Sequence, residues 1–213
     1  MLSNHQDKGL LFIVSAPSGA GKTSLIRELM KTRNDLQLSI SHTTRRSRKE
    51  EKHGIDYFFI SQKLFLEMEN NEEFIETATV FGNKYGTNKQ IIEETLSSGQ
   101  SIVLDIDWQG ARQLKKYSYD SVSIFILPPS LKTLNERLQK RGDHSDDIER
   151  RMQKAIREIS HHHEYDYVIT NEQFGDSLEI INAIITASFY RLDLQKDKFN
   201  RFVSEIIENQ QNV

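Results

Sequence analysis

The stretch "LLFIVSAPSGAGKTSL", residues 10–25, decides the fold. Leu10–Val14 is a short, nearly continuous apolar run of the kind that forms a strand buried on both faces. It ends in Ala16–Thr23, "APSGAGKT", where the chain turns with hardly a side chain in the way. The spacing is that of a phosphate loop, with Ala16 where the first glycine usually stands. Gly19 and Gly21 let backbone N–H groups turn inward and approach an anion closely. The helix expected from Lys22 aims its positive end at the same point. Lys22 adds a point charge for terminal phosphates, and the Thr23 hydroxyl suits Mg²⁺.

Working outward, the runs Ile102–Leu104, Val122–Leu127 and Tyr167–Ile169 repeat the first strand's character. Helical segments are expected between them, over 22–33, 108–117, 130–140 and about 174–208. Alternating strands and helices with right-handed crossovers predict an α/β fold with a parallel sheet flanked by helices. Residues 41–98 break this rhythm with a basic stretch, the aromatic run "DYFFI" and the strand-and-turn mixture "FIETATVFGNKYGT". They read as an inserted small α+β lobe, the core being 1–40 and 99–213. A polar stretch at about 140–151 interrupts two helical segments and reads as a short lid. Asp176–Asn209 is amphipathic and is expected to be mostly helix packed on the sheet.

The chain has 213 residues, a formal net charge of −3 and no cysteine. The balance gives no global drive toward nucleic acid or membrane, so basic function must be local. Disulfides and thiolate metal sites are excluded. The first residues lack a signal-peptide pattern, and no apolar run reaches the roughly 20 residues that span a bilayer. A cytoplasmic protein is expected. "SHHHEYD" (160–166) reads as an exposed helix end rather than a metal site, and Trp108 as core. The charged tail after Arg191 fits a solvated helix face or a homo-oligomer contact equally.

"SIVLDIDWQG" supplies acidic partners for the loop: Asp105 and Asp107 lie two apart and share one strand face. One of them is expected to hold Mg²⁺ through water. "SHTTRRSRKEEKHGIDY" (41–57) places Arg45, Arg46 and Arg48 within four positions, and guanidinium forks bind phosphate bidentately. Glu50 and Glu51 interrupt that charge and disfavour a polyanion footprint.

In family order, "SAPSGAGKTS", "SHTTRRSR", "GIDYFF", "EFIETATVFGNKYGT", "VLDIDWQGA", "FILPPS" and "EYDYVITN" resemble the bacterial-type guanylate kinases over about residues 9–190. The resemblance implies a P-loop nucleoside monophosphate kinase moving a phosphoryl group from ATP to GMP, with Mg²⁺ as cofactor. It implies that Ala16, Pro17, Ser18, Gly19, Ala20, Gly21, Lys22, Thr23, Ser24 and Arg137 bind ATP. It assigns Arg45, Arg48, Tyr57 and Tyr85 to the GMP phosphate, and Ser41, Glu76, Thr87 and Asp107 to the guanine, with Glu51 also on the GMP side. Lys22, Arg45, Arg141 and Arg151 would carry catalysis, and Thr23 and Asp105 would hold the metal. Thr87 stands where serine is frequent, and the Arg141–Arg151 stretch is one residue shorter than in many relatives. The guanine assignment is chemically coherent: a carboxylate such as Glu76 accepts from guanine N1–H and N2–H₂, and a hydroxyl such as Ser41 donates to O6. Two other readings stay open from sequence: a kinase of the same architecture for a ribose bisphosphate, and a non-catalytic module that binds phosphopeptides.

Overall fold

Leu11–Ser15 (β1) is the buried centre of a five-stranded sheet ordered β2-β7-β1-β8-β9, in a computed structural model that describes residues 9–140 and 145–211. Its neighbours are β2 (Leu36–Leu38), β7 (Ser101–Asp105), β8 (Ser121–Leu127) and β9 (Tyr167–Thr170), and every pairing is parallel. Alternation along β1 divides the core. Leu10, Phe12 and Val14 pack with Leu25, Ile26 and Leu29 of α1 (Lys22–Thr32) and with Ile181 and Ile185 of α7 (Phe174–Ser188). Leu11 and Ile13 face Ile92 and Leu96 of α3 (Lys89–Ser97) and Ala111 and Leu114 of α4 (Trp108–Leu114). A sheet covered on both faces explains why its strands read as continuous apolar runs.

The second sheet has four strands ordered β4-β3-β6-β5. They are β3 (His42–Thr43), β4 (Phe58–Phe59), β5 (Phe74–Val80) and β6 (Asn83–Asn88), with α2 (Gln62–Asn70) seating Phe65 on Phe74. All of it lies inside the expected lobe 41–98, while α3, at the end of that range, serves the main-sheet core. The lobe joins the core where Ile75 of β5 packs with Ile92, Leu96, Ala111 and Leu114, where the Thr77 backbone exchanges two hydrogen bonds with the Gln113 side chain of α4, and at the ion pair of Arg27 on α1 with Asp56.

Three expectations need correction. The segment 174–208 is not one helix: α7 ends at Ser188, a turn follows with the Arg191–Asp193 ion pair, and α8 spans Lys196–Gln211. Nor does α8 pack on the sheet, since Phe202, Val203, Ile206 and Ile207 are all about half exposed. The polar stretch 140–151 is helical from Ser145, the start of α6 (Ser145–Ile159). Ile148, Met152 and Ala155 recur at helical spacing and pack on Leu134 and Leu138 of α5 (Leu131–Lys140), so charge hid an amphipathic helix. Trp108 is half-buried rather than core; its ring stacks on His161 at 3.7 Å, just before a 3₁₀ turn, His162–Glu164.

Candidate active site

Between β1 and α1 the backbone turns through Gly19 (φ 93°) and Gly21 (φ 101°). A side chain at Gly21 would be strained by that φ, and its Cβ would lie 2.4 Å from Asn171 Nδ2. Asn171, just after β9, donates to the Ala20 carbonyl at 2.7 Å. Arg137 of α5 donates to the same carbonyl at 3.3 Å and to the Asn171 carbonyl at 3.2 Å. The loop is therefore held from outside by two side chains. Ser18 N–H donates to Glu158 Oε2 of α6 at 3.3 Å. Ala16 and Pro17 are buried beneath the turn, and Ser24 is exposed in the first turn of α1.

Lys22 crosses to the end of β7. Its ammonium lies 2.5 Å from Asp105 Oδ1 and donates to the Ile106 carbonyl at 2.9 Å. Thr23 Oγ1 donates to Asp105 Oδ2 at 3.3 Å. Hydroxyl and carboxylate oxygen thus sit side by side, a donor pair that fits a hard cation. Among the described residues no cluster of three or more His, Asp or Glu could hold a metal, the histidines of 160–166 included. Asp107 does different work from Asp105: it N-caps α4, its Oδ1 accepting from Gln109 N–H at 2.9 Å and Gly110 N–H at 3.3 Å.

In the lobe, Arg45 forks onto Glu51 with two bonds of 2.9 Å, and Arg48 N–H donates to Glu51 at 2.8 Å. Burial pushes the Glu51 carboxyl upward, but the Arg45 hydrogen bonds and the Arg48 N–H outweigh it and hold it below its ordinary value. Arg45 also lies over the rings of Tyr57 (5.5 Å) and Phe59 (5.7 Å), and Tyr57 meets Tyr85 edge-on at 5.8 Å. Burial, then the negative charge of Asp105, push the Tyr57 phenol well up, so it stays neutral. Asp105, on the core, thus lies near enough to act on Tyr57, in the lobe.

Glu76, on β5, is 4% exposed. The β5–β6 register sets it opposite Thr87, whose hydroxyl donates to Glu76 Oε1 at 2.6 Å. Its other oxygen rests on α4 at Gly110, where an added Cβ would lie 2.3 Å away. Burial, reinforced by Asp107, pushes the carboxyl up to about 7 against the pull of Thr87 and Lys22. Ser41 is buried immediately before β3.

A family model described as guanylate kinase matches residues 8–188. The chain belongs to the guanylate kinase family. The guanylate kinase of Hahella chejuensis is 47% identical over 204 residues, spanning 95% of this chain and 98% of that one. The guanylate kinase of Escherichia coli strain K12 is 47% identical over 203 residues, with 94% and 98% spanned. The crystal structure of guanylate kinase from Anaplasma phagocytophilum superposes with a TM-score of 0.73 at 37% identity, over 85% of this chain and 87% of that one. Membership makes the chain an ATP-dependent kinase acting on GMP.

Lys22, Thr23 and Asp105 form one cluster, Arg45, Arg48 and Glu51 a second, and Glu76 with Thr87 a third. The Arg151 guanidinium lies 5.6 Å from the Phe81 ring centroid at the β5–β6 turn. Arg141 lies outside the described residues. Asn171, Gly110 and Glu158 escaped sequence reasoning. Asn171 had a signal, a polar residue closing "YDYVITN" at a strand's C-terminal end; Glu158 had none, because a carboxylate in a charged helix reads as solvent-facing.

Proposed function

We propose that phosphoryl transfer from ATP to GMP, giving ADP and GDP, runs between the loop Ala16–Ser24 and the arginine pair Arg45 and Arg48. The loop amides and Lys22 take the triphosphate, and Arg137 steadies the loop from the adenosine side. Arg45, Arg48, Tyr57 and Tyr85 take the GMP phosphate. Glu51 already fixes the Arg45 fork, so the guanidinium meets its anion pre-oriented, at less entropic cost. Ser41, Glu76 and Thr87 read the guanine edge; Asp107, spent on its helix cap, acts on that pocket through its charge. Lys22, Arg151 and Arg141 neutralise charge that builds on the transferred group. The GMP phosphate oxygen attacks in line and the β–γ bridging oxygen leaves on ADP. No side-chain nucleophile is required.

Thr23 and Asp105 would hold Mg²⁺, partly through water, and the ion would supply further neutralisation of the phosphates. No described helix is long and apolar enough to cross a membrane. We place the reaction in the cytoplasm, with small nucleotides rather than nucleic acid as partners.

The observation that carries this reading is Glu76: a buried carboxylate, bonded to one hydroxyl and within the field of the phosphate-loop lysine. Adenine would present it with a lone pair where guanine presents N–H groups, and sites of this kind discriminate by about 10⁴-fold or more. A coupled assay of ADP release with GMP, dGMP, AMP and CMP tests it. GMP is expected to be turned over far faster than AMP; comparable turnover of the two would refute the assignment.

A further inference from the structure

Helix α6 touches both halves of the site. Toward its N-terminal end, Arg150, Arg151 and Lys154 all face one ring, Phe81, at 5.2, 5.6 and 5.0 Å from its centroid. Phe81 is the tip of the β5–β6 hairpin and holds φ 48°, a left-handed conformation that costs a non-glycine residue energy. One turn further on, Lys154 Nζ lies 3.2 Å from Glu158 Oε1. Glu158 is 5% exposed and gives its other oxygen to Ser18 N–H of the phosphate loop. Contacts therefore run without a break from the lobe hairpin, through Lys154 and Glu158, to a loop amide.

The chemistry at the loop end is unusual. A carboxylate occupies an amide of the turn that should cradle a triphosphate. Burial pushes the Glu158 carboxyl above its ordinary value, and the nearby Lys154 offsets only part of that rise. A phosphate oxygen arriving at Ser18 competes with the Glu158 carboxylate for the same N–H and meets its charge. Driven off Ser18, the carboxylate is left with Lys154 alone, and Lys154 is the cation shared with Phe81.

We propose that Glu158 and Lys154 are positioning residues that couple the phosphate loop to the lobe hairpin: nucleotide at the loop displaces Glu158 from Ser18, and the shift reaches Phe81 through Lys154. Both ends of the chain of contacts are then biased by a ligand, which is what a coupling claim requires. The proposal rests on the loop being the ATP site.

The test is calorimetric titration of the full chain with ADP, with GMP, and with each in the presence of the other, for wild type, Glu158→Gln and Phe81→Leu. Wild type is expected to show ADP altering GMP affinity several-fold, with the reciprocal effect of equal size. Glu158→Gln keeps the shape and removes the competing charge; it is expected to bind ADP several-fold more tightly and to bring the coupling factor toward one. Phe81→Leu lies far from the loop; it is expected to leave ADP affinity alone while also lowering the coupling factor. Unchanged or weaker ADP binding in Glu158→Gln would overturn the proposal. So would full wild-type coupling in Phe81→Leu, a result that stands even if the Glu158 variant fails to fold. Wild type that binds neither nucleotide would instead refute the functional reading beneath it.

Discussion

In the proposed site, Glu76 is the side chain on which stability and guanine recognition would both bear. Its carboxyl is displaced upward to about 7 by burial first and by Asp107 second. Between the ordinary carboxyl value of 4.5 and about 7, the folded chain holds a proton there that the unfolded chain has lost. Stability contributed at this site therefore falls as pH rises through that window. Glu76→Gln is expected to melt higher than wild type at pH 8, with the difference closing near pH 5; a constant difference across pH would contradict the displaced ionisation. The proposed guanine contact needs the ionised form, so GMP affinity should rise toward pH 7 in wild type by more than in Glu76→Gln. The variant should weaken GMP roughly 5- to 150-fold, the cost of about 1–3 kcal/mol for a mispaired buried group, while sparing ATP. Lys22 is a separate case, because its ammonium is held by Asp105 and Ile106 at the mouth of the loop rather than in the base pocket. Lys22→Ala is expected to abolish turnover with only modest loss of GMP binding, and retained turnover would remove Lys22 from the chemistry.

At the scale of elements, helix α4 shows how a short segment serves a site on another element. Its N-cap, Asp107, takes two backbone N–H groups, and its third residue, Gly110, leaves room for Glu76. Alanine within a helix ordinarily gains about 1 kcal/mol over glycine. Here the added methyl would meet Glu76 Oε2 at 2.3 Å, and the carboxylate is pinned from its other side by Thr87. Gly110→Ala is accordingly expected to raise KM for GMP by an order of magnitude or more, with ATP little affected; equal effects on both substrates would show that the substitution acts on the fold instead. The expected strand–turn–helix over residues 10–25 is what the chain forms, since an apolar run followed by a glycine turn and a helix start leaves little other choice. β2 escaped notice because three residues, Leu36–Leu38, are too few to show a period.

At the scale of the whole molecule, lobe and core join along β5: Ile75 lies in the main-sheet core, the Thr77 backbone exchanges two hydrogen bonds with the Gln113 side chain of α4, and Glu76 rests on Gly110. A further contact is Arg27 with Asp56, and Arg27 is largely exposed. A surface pair of this kind contributes at most about 1 kcal/mol, so Arg27→Ala should move the denaturation midpoint very little. A large loss of stability would mean that this pair contributes far more than an exposed ion pair does. Charge also links the two: Asp105 of the core acts on Tyr57 of the lobe, and Lys22 of the core on Glu76.

The sequence by itself determined the parallel sheet, the glycine turn after its central strand and the break in rhythm over 41–98 where the second sheet lies, because each rests on local spacing: buried strands are continuously apolar, and a tight turn that could wrap an anion needs glycine at fixed positions. It also carried the residue types that suit guanine and phosphate. Tertiary structure alone decided which of those residues share a site. Asp105 and Asp107 look equivalent in "LDIDW", yet one meets Lys22 and the other caps a helix. Glu158 and Gly110 gain their places only because α6 and α4 are carried against the phosphate loop and β5. Such pairings join residues 140 and 34 positions apart, and no local pattern records a contact made across the core.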